Sequence, residues 1–304
     1  MPAYREKDNL IHRLHPMTSV TYVLVVFLLS LIFSHPAYLL GLFAAVGAVI
    51  VAGDNFPQWK GYLKFSMVMI ILITMINALF SGAGSTVLIS GPNLPVLGKT
   101  KMTLEALAYG GGMGLRLLVI ISIFCFYTYS IHPDKVLKLL SRRGNKSVFA
   151  ITLATRLFPL MVRDFKRIRE VQRCRGVKLD TGKWWQRARN YFPIISVLLL
   201  SCLERSLQLA ESMQARGYGS GTRTYYSREL WHPRDYVILC ALLIGMIMGL
   251  GAVFKGWSAY HYYPRLEKFN LGEITMAGAL LLVLSLPAIL SWGWKKWPLL
   301  RSKI

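Results

Sequence analysis

Six long apolar runs alternate with polar segments along the chain, and their length is the first indication of the fold. They cover residues 18–33, 37–52, 65–80, 104–129, 236–254 and 274–292. A helix needs about 20 apolar residues to cross a bilayer, and roughly 17 is the lower limit. The pattern therefore predicts an all-α polytopic membrane protein with about six transmembrane helices and a helical insert between the fourth and fifth.

Two connections between the runs carry local signals. Ser34-His35-Pro36 separates the first two runs, and we expect His35 to be an exposed turn residue. The loop at 81–103 is rich in Gly, Pro and β-formers, which predicts a short hairpin or a re-entrant flap. Gly110 and Gly114 form a G-x-x-x-G pattern in the fourth run. Because small residues let membrane helices approach closely, we interpret this pattern as a packing site.

A basic stretch at 131–235 interrupts the membrane pattern. It holds 21 Lys and Arg against 8 Asp and Glu. Two moderately apolar runs lie inside it, at 147–162 and 192–203. If both crossed the bilayer, the strongly basic segment 163–192 would face outside, against the positive-inside rule. We therefore interpret both runs as helices that lie against the inner face of the membrane.

Composition and charge give the topology. The chain has 304 residues, 54% of them hydrophobic, and a net charge of +22. Lys and Arg collect in the cytoplasmic loops of membrane proteins, so the basic charge indicates a lipid bilayer rather than nucleic acid as the partner. The chain divides into membrane region 1–130, cytoplasmic coupling region 131–235 and membrane region 236–304. Both termini are expected in the cytoplasm.

Motifs for catalysis, metal binding and nucleotide binding are missing from the sequence. The four cysteines are far apart and form no C-x-x-C pair, which argues against a zinc site. Residues 93–100 resemble a phosphate-binding loop, but Asn93 replaces its first glycine and Pro95 interrupts it. We expect a chain without catalytic residues, metal or bound cofactor, which is not itself an enzyme.

A short pattern occurs twice in the basic stretch and is its most specific feature. Arg175-Gly176 follows Cys174, and Arg216-Gly217 follows Ala215, each at the end of a helical run that contains a proline. Glycine after the arginine ends a helix in a left-handed conformation and leaves the arginine at the helix tip. A guanidinium at such a tip is suited to a groove lined by acidic groups. The alternative is an ordinary basic helix end at the membrane surface.

The basic stretch resembles a known family over about residues 131–220. The matching segments are Arg156-Leu157-Phe158-Pro159-Leu160, Arg173-Cys174-Arg175-Gly176-Val177, Phe192-Pro193, Glu204-Arg205, Met213-Gln214-Ala215-Arg216-Gly217-Tyr218-Gly219 and His132-Pro133-Asp134-Lys135-Val136-Leu137. They are similar to the coupling region of the T component, the transmembrane subunit of energy-coupling factor (ECF) transporters. Cys174 departs from the alanine usual in that family's motif.

The resemblance implies a function and a set of partners. The chain would be the coupling subunit of an ABC importer in the plasma membrane, joined to two cytoplasmic ATPases that use ATP-Mg and to a small substrate-binding membrane subunit for vitamin or metal-ion uptake. The residues implied to dock the ATPases are Cys174, Arg175, Gly176, Ala215, Arg216 and Gly217. The residues implied to support the coupling helices are Arg156, Pro159, Arg173, Pro193, Glu204, Arg205 and Tyr218.

One alternative stays open from the sequence. A self-contained secondary transporter or channel would carry ionisable residues inside its spans and a repeat among the spans. Only Glu105 and Arg116 come near that description, and the visible repeat lies in the basic stretch instead. The sequence does not identify the transported substrate.

Overall fold

A computed structural model describes residues 9–81, 84–94, 98–131, 135–136, 146–177, 179, 182–221, 231–264, 267 and 270–296. These residues contain nine α-helices and one β-hairpin. The helices are α1 (Pro16–Ile32), α2 (Pro36–Ala52), α3 (Phe56–Phe80), α4 (Leu104–Ser130), α5 (Lys146–Cys174), α6 (Trp184–Ala215), α7 (Pro233–Phe254), α8 (Leu271–Leu284) and α9 (Leu286–Lys296); the strands are β1 (Val87–Leu94) and β2 (Gly98–Thr103). The chain forms two compact units, Leu137–Arg228 and the remainder on either side of it.

Several helices are long and apolar enough to cross a bilayer. By length and composition these are α3, α4, α6 and α7, and the pair α8 and α9 passes together as one span bent by 45°. α1 and α2 are apolar but have 17 residues each, at the lower limit for a span. The prediction of an all-α polytopic membrane protein is confirmed. The prediction of about six spans included α1 and α2. It did not include α6, because the run at 192–203 was interpreted as a helix at the inner face of the membrane.

Three helices differ from the apolar runs that predicted them. α3 begins at Phe56, so most of the polar connector before residue 65 is helical. α6 extends far beyond the run at 192–203, because its polar ends continue the helix to 32 residues. The interpretation of this run as a helix is confirmed, and its position at the inner face of the membrane stays a prediction. Pro159 and Pro193 lie inside α5 and α6, as expected for helical runs that contain a proline.

The G-x-x-x-G pattern packs α4 against α3. A Cβ on Gly110 would lie 2.8 Å from the Cα of Thr74, and a Cβ on Gly114 would lie 2.8 Å from Cγ2 of Ile70. Cβ atoms in proteins almost never make contacts this short, so a side chain at either position would force the helices apart. The interpretation of the glycines as a packing site is confirmed.

The loop at 81–103 contains the hairpin. β1 and β2 pair in antiparallel fashion, with Val87 opposite Thr103. Residues 95–97, which include the proline of the phosphate-loop-like segment, lie outside the described part of the chain. At the base of the hairpin, the buried Glu105 carboxylate accepts hydrogen bonds from Ser85 Oγ and from both N and Oγ1 of Thr86. Glu105 therefore fastens the hairpin to the first turn of α4.

His35 lies at the turn between α1 and α2 and is buried, with 1% of its surface exposed. Its Nδ1 accepts a hydrogen bond from Ala37 N and so caps α2, and its Nε2 lies 3.3 Å from Glu273 Oε2. The prediction of an exposed turn residue was wrong, because the ring of Tyr260 packs against His35 and the carbonyl of Ser258 accepts the backbone N–H groups of Ser34 and His35. Burial lowers the pKa of His35, and the Glu273 carboxylate offsets part of that shift.

A buried carboxylate joins the start of α7 to the start of α1. Asp235 is fully buried and accepts hydrogen bonds from the backbone N–H groups of His15 and His232, both at 3.0 Å. Thr18 Oγ1 lies 3.5 Å from the same carboxylate. A buried N–H group without an acceptor is costly, so these hydrogen bonds to Asp235 connect the start of α1 to the start of α7, more than 200 residues away in sequence.

Candidate functional site

The two helices of the basic stretch, α5 and α6, run antiparallel. Phe149, near the start of α5, stacks on Tyr218, just beyond the end of α6, with ring centroids 5.5 Å apart. Phe165, in the second half of α5, stacks on Tyr191, near the start of α6, at 6.3 Å. The ends of the two helices, which carry the repeated arginines, therefore lie at opposite ends of the pair.

The first tip is built by a standard helix C-cap. α5 ends at Cys174, and Gly176 follows Arg175 with a φ of 83°. Gly176 N donates to the carbonyl of Arg173 at 3.0 Å, and Val177 N donates to that of Gln172 at 3.2 Å. This double hydrogen bond is the Schellman motif, which favours glycine at the left-handed position. It leaves Arg175 exposed at the end of the helix.

The second tip repeats that geometry. α6 ends at Ala215, and Gly217 has a φ of 73°. Gly217 N donates to the carbonyl of Gln214 at 2.9 Å, and Tyr218 N donates to that of Met213 at 3.0 Å. Arg216 occupies the same place in the cap as Arg175 and is equally exposed. The two tips therefore share one geometry.

A polar cleft opens between α5 and α6 on the Arg175 side. Its volume is about 350 Å³, and it is lined by Asp164, Arg167, Ile168, Val171, Gln172, Arg175, Val197, Ser201 and Arg205. Arg205 Nη2 donates to Asp164 Oδ2 at 2.8 Å across one end of it. Three arginines share the cleft with one carboxylate, so its net charge is positive.

The remaining predicted site residues are spread along the pair. Arg156, Pro159, Arg173, Pro193 and Glu204 are exposed on the helix surfaces. In the structure, Arg175 and Arg205 both line the cleft, and Tyr218 stacks on Phe149. In the sequence, Arg156 and Glu204 are distant from both tip arginines. The segment 132–137 that fits the family's lead into the region is described only at residues 135–136. The functional roles of all these residues stay predictions.

Sequence reasoning missed two contributors to this arrangement. Asp164 pairs with Arg205, and Phe149 covers the side of the second tip. A signal for Asp164 was present, because it precedes Arg205 by the same 41 positions that separate the two tip arginines. Phe149 had no signal of its own, since an apolar residue at the start of an apolar run is unremarkable until its partner is known.

α6 presents an apolar face that the described chain leaves uncovered. Leu199, Leu203 and Leu207 are each exposed by more than half, at 57%, 62% and 64%. Such large apolar side chains on one helix are normally covered by lipid or by another protein. No group of three or more His, Cys, Asp or Glu side chains that could hold a metal ion exists among the described residues.

Fold and site together define a class: a polytopic α-helical membrane protein with a pair of arginine-tipped helices. Residues 7–226 match the model of the CbiQ family, described as cobalt transport protein. The energy-coupling factor transporter transmembrane protein EcfT of Streptococcus thermophilus is 31% identical over 254 residues, covering 79% of this chain and 94% of that protein. The EcfT proteins of Clostridium kluyveri and Bacillus subtilis are each 26% identical, and the matches cover 83% and 79% of this chain and 96% and 93% of theirs. The chain belongs to this family of ECF transporter T components.

Proposed function

We propose that the chain is the coupling subunit of an ECF-type ABC importer in the plasma membrane. It would transmit the ATP-driven motion of two cytoplasmic ATPases to a separate membrane subunit that binds a vitamin or a metal ion. The observation that carries this proposal is the pair of identically capped arginine tips at opposite ends of two antiparallel helices. The simplest interpretation of the two tips is that each binds one ATPase.

Docking at the tips has a direct physical basis. Each arginine is exposed at a helix end, and its guanidinium can form two parallel hydrogen bonds with a carboxylate. Once buried in an acidic groove, such a pair costs about 2–5 kcal/mol to truncate. The positive cleft beside Arg175 strengthens the attraction for an acidic partner.

Transmission requires stiff elements and a surface for the substrate-binding subunit. α5 and α6 are continuous helices of 29 and 32 residues, so a displacement at a tip is carried along the helix. The uncovered leucines of α6, including Leu199 and Leu203, suit an apolar membrane partner. ATP-Mg would be bound and hydrolysed by the ATPases, and this chain would be non-catalytic, with both termini on the ATPase side.

Co-purification from the native host tests the proposal. Tagged chains carrying Arg175→Ala, Arg216→Ala or both are compared with the unchanged chain, and the ATPase subunits are counted by quantitative mass spectrometry. We expect each single change to reduce the ATPase yield about tenfold or more, and the double change to abolish it. Arg163→Ala, an exposed arginine of α5 away from the tip, is the matched control and keeps the yield.

Two results would contradict the proposal. The first is a double variant that retains both ATPases at the wild-type level. The second is substrate uptake by proteoliposomes that contain this chain alone, which would instead establish the self-contained transporter considered from the sequence. In that case the tip arginines would have no role in uptake.

A further inference from the structure

An ion pair joins α5 and α6, and its place in the repeat is informative. Arg205 Nη2 donates to Asp164 Oδ2 at 2.8 Å, across a separation of 41 residues. Arg175 and Arg216 are separated by the same 41 positions. Asp164 and Arg205 are therefore equivalent positions of the two repeats, and each precedes its own tip arginine by 11 residues. The pair marks the centre of the repeated arrangement.

The pair is equally far from both tips. The chain is helical from Asp164 to Cys174 and from Arg205 to Ala215. At a rise of 1.5 Å per residue, each tip arginine lies about 16 Å along its helix from the pair. Because α5 and α6 run antiparallel, the two arms extend in opposite directions. The geometry is that of a two-armed lever with the ion pair at its centre.

Apolar packing around the centre is sparse. Among the described residues of the unit Leu137–Arg228, the buried hydrophobic side chains are Leu179 and Ile194. The cleft of about 350 Å³ lies between the ion pair and Arg175, so the arm of α5 has free space beside it. Apart from the stacks of Phe149 on Tyr218 and of Phe165 on Tyr191, little apolar contact joins the described parts of the two helices, so their relative angle depends on the directed contacts between them.

We propose that Asp164 and Arg205 are positioning residues that fix the crossing angle of α5 and α6, and hence the separation of the two arginine tips. This inference rests on the proposed function for its consequence in transport. Both side chains are about one-third exposed, at 29% and 37%, and such a pair adds little to overall stability. Its directed carboxylate–guanidinium hydrogen bond does set geometry. A rotation of about 10° at the pair moves a tip by about 3 Å.

Distance measurement between the tips of the full chain in lipid nanodiscs tests the inference without any partner. Spin labels are placed at the native, exposed Cys174 and at Gln214→Cys, and double electron–electron resonance gives the distribution of their separation. The other cysteines are removed by the substitutions Cys125→Ala, Cys202→Ser and Cys240→Ser. The pair is then broken by Asp164→Asn or by Arg205→Gln.

We expect either change to broaden the distance distribution about twofold or more, by the lever geometry of the arms. The exchange D164R/R205D restores the opposite charges and should return the distribution to its original width. Glu170→Gln and Arg163→Gln remove exposed charges from α5 outside the pair and should leave the width unchanged. If a neutral variant fails to fold, Arg205→Lys keeps the charge with a less directed hydrogen bond, and we expect an intermediate width.

Two outcomes would overturn the inference: single variants with the same width as the two controls, or an exchange variant as broad as the single variants. The second would show that side-chain shape, not pairing, matters at this position. Neither outcome depends on ATPase binding. A chain that shows the expected widths but recovers no ATPase would contradict the proposed function alone.

Discussion

The two compact units of this chain use their residues in opposite ways. In the membrane unit, α1, α2, α4 and α7 bury large side chains almost completely, such as Leu29, Tyr38 and Ile123. In the unit of α5 and α6, Leu179 and Ile194 are the buried hydrophobic residues of the described part, and most of the helix surface is exposed. The membrane unit is therefore stabilised by a hydrophobic core, whereas the described helices of the other unit expose most of their side chains.

Glycine shows the same difference. Gly110 and Gly114 lie inside α4, where the missing side chain lets α3 approach. Gly176 and Gly217 lie at helix ends, where a positive φ is needed and nothing crowds Gly176 within 4 Å. A substitution in the membrane unit should therefore change folding, and one in the coupling unit should change binding. Substitutions in each unit, compared with matched controls, test that separation.

The largest effect is expected from overpacking α3 and α4. Gly110→Leu places atoms where the backbone of Thr74 lies, and backbone cannot move aside cheaply. We expect a loss of about 3 kcal/mol or more in the free energy of unfolding. The measurement is the thermal unfolding midpoint of the purified protein in detergent, together with its elution profile. Aggregation or failure to express would count in the same direction.

Gly111→Leu is the matched control for that experiment. It adds the same side chain one position along the same helix, where nothing lies within 4 Å. The control should unfold close to the wild-type temperature. Equal midpoints for the two variants would show that close packing of α3 on α4 does not support the fold.

A somewhat smaller loss is expected from Asp235→Ala. The change leaves the buried N–H groups of His15 and His232 without their acceptor. Unsatisfied buried donors of this kind cost about 1–3 kcal/mol. The thermal midpoint should fall, while Glu170→Ala, an exposed acid in the coupling unit, should leave it unchanged. A fall of equal size in both variants would remove the contrast between the two units.

The coupling unit should respond in the opposite manner. Gly176→Ala forces a Cβ into a left-handed conformation, a strain of about 1 kcal/mol or slightly more. We expect the last turn of α5 to fray, which hydrogen exchange detects, and the yield of co-purified ATPase to fall. The thermal midpoint should stay the same. Gly221→Ala, where the added Cβ meets no atom within 4 Å and φ is not positive, should change none of these measurements.

Local patterns in the sequence predicted much of this fold. The G-x-x-x-G pattern predicted a close helix contact because small residues let the backbones of two membrane helices approach each other. The Arg-Gly ends predicted helix tips because glycine at a cap acts through its own φ. The hairpin at 87–103 followed from its Gly, Pro and β-formers. The helix caps and the hairpin form through interactions within a few residues of sequence. The G-x-x-x-G contact requires only that some helix pack against the glycines, whichever helix it is.

Other features depend on partners that are distant in sequence. His35 is buried because Ser258 and Glu273 cover its turn, and nothing near position 35 encodes them. The ends of α6 lie well outside the apolar run at 192–203, because polar ends on an apolar run do not show where a helix stops. The 41-residue spacing of Asp164 and Arg205 is present in the sequence, but their contact depends on the antiparallel arrangement of α5 and α6, which the sequence does not encode locally. Apolar periodicity carries no information on which helix is whose neighbour.

The smallest effect tests the covered turn through pH. Burial holds the pKa of His35 below its ordinary value of 6.5, so the unfolded chain binds this proton more readily than the folded chain. The contribution of His35 to stability is therefore complete above pH 6.5 and declines as the pH falls from there through the lower, folded pKa.

His35→Asn keeps an acceptor for Ala37 N but does not titrate, so this decline in the thermal midpoint should shrink. Glu273→Gln removes the partner that offsets the burial cost and should steepen the decline, whereas the exposed His261→Asn should not alter it. A pH profile that is the same in all four proteins would mean that His35 is solvated, and the turn would then belong with the exposed surface rather than with the core of the membrane unit.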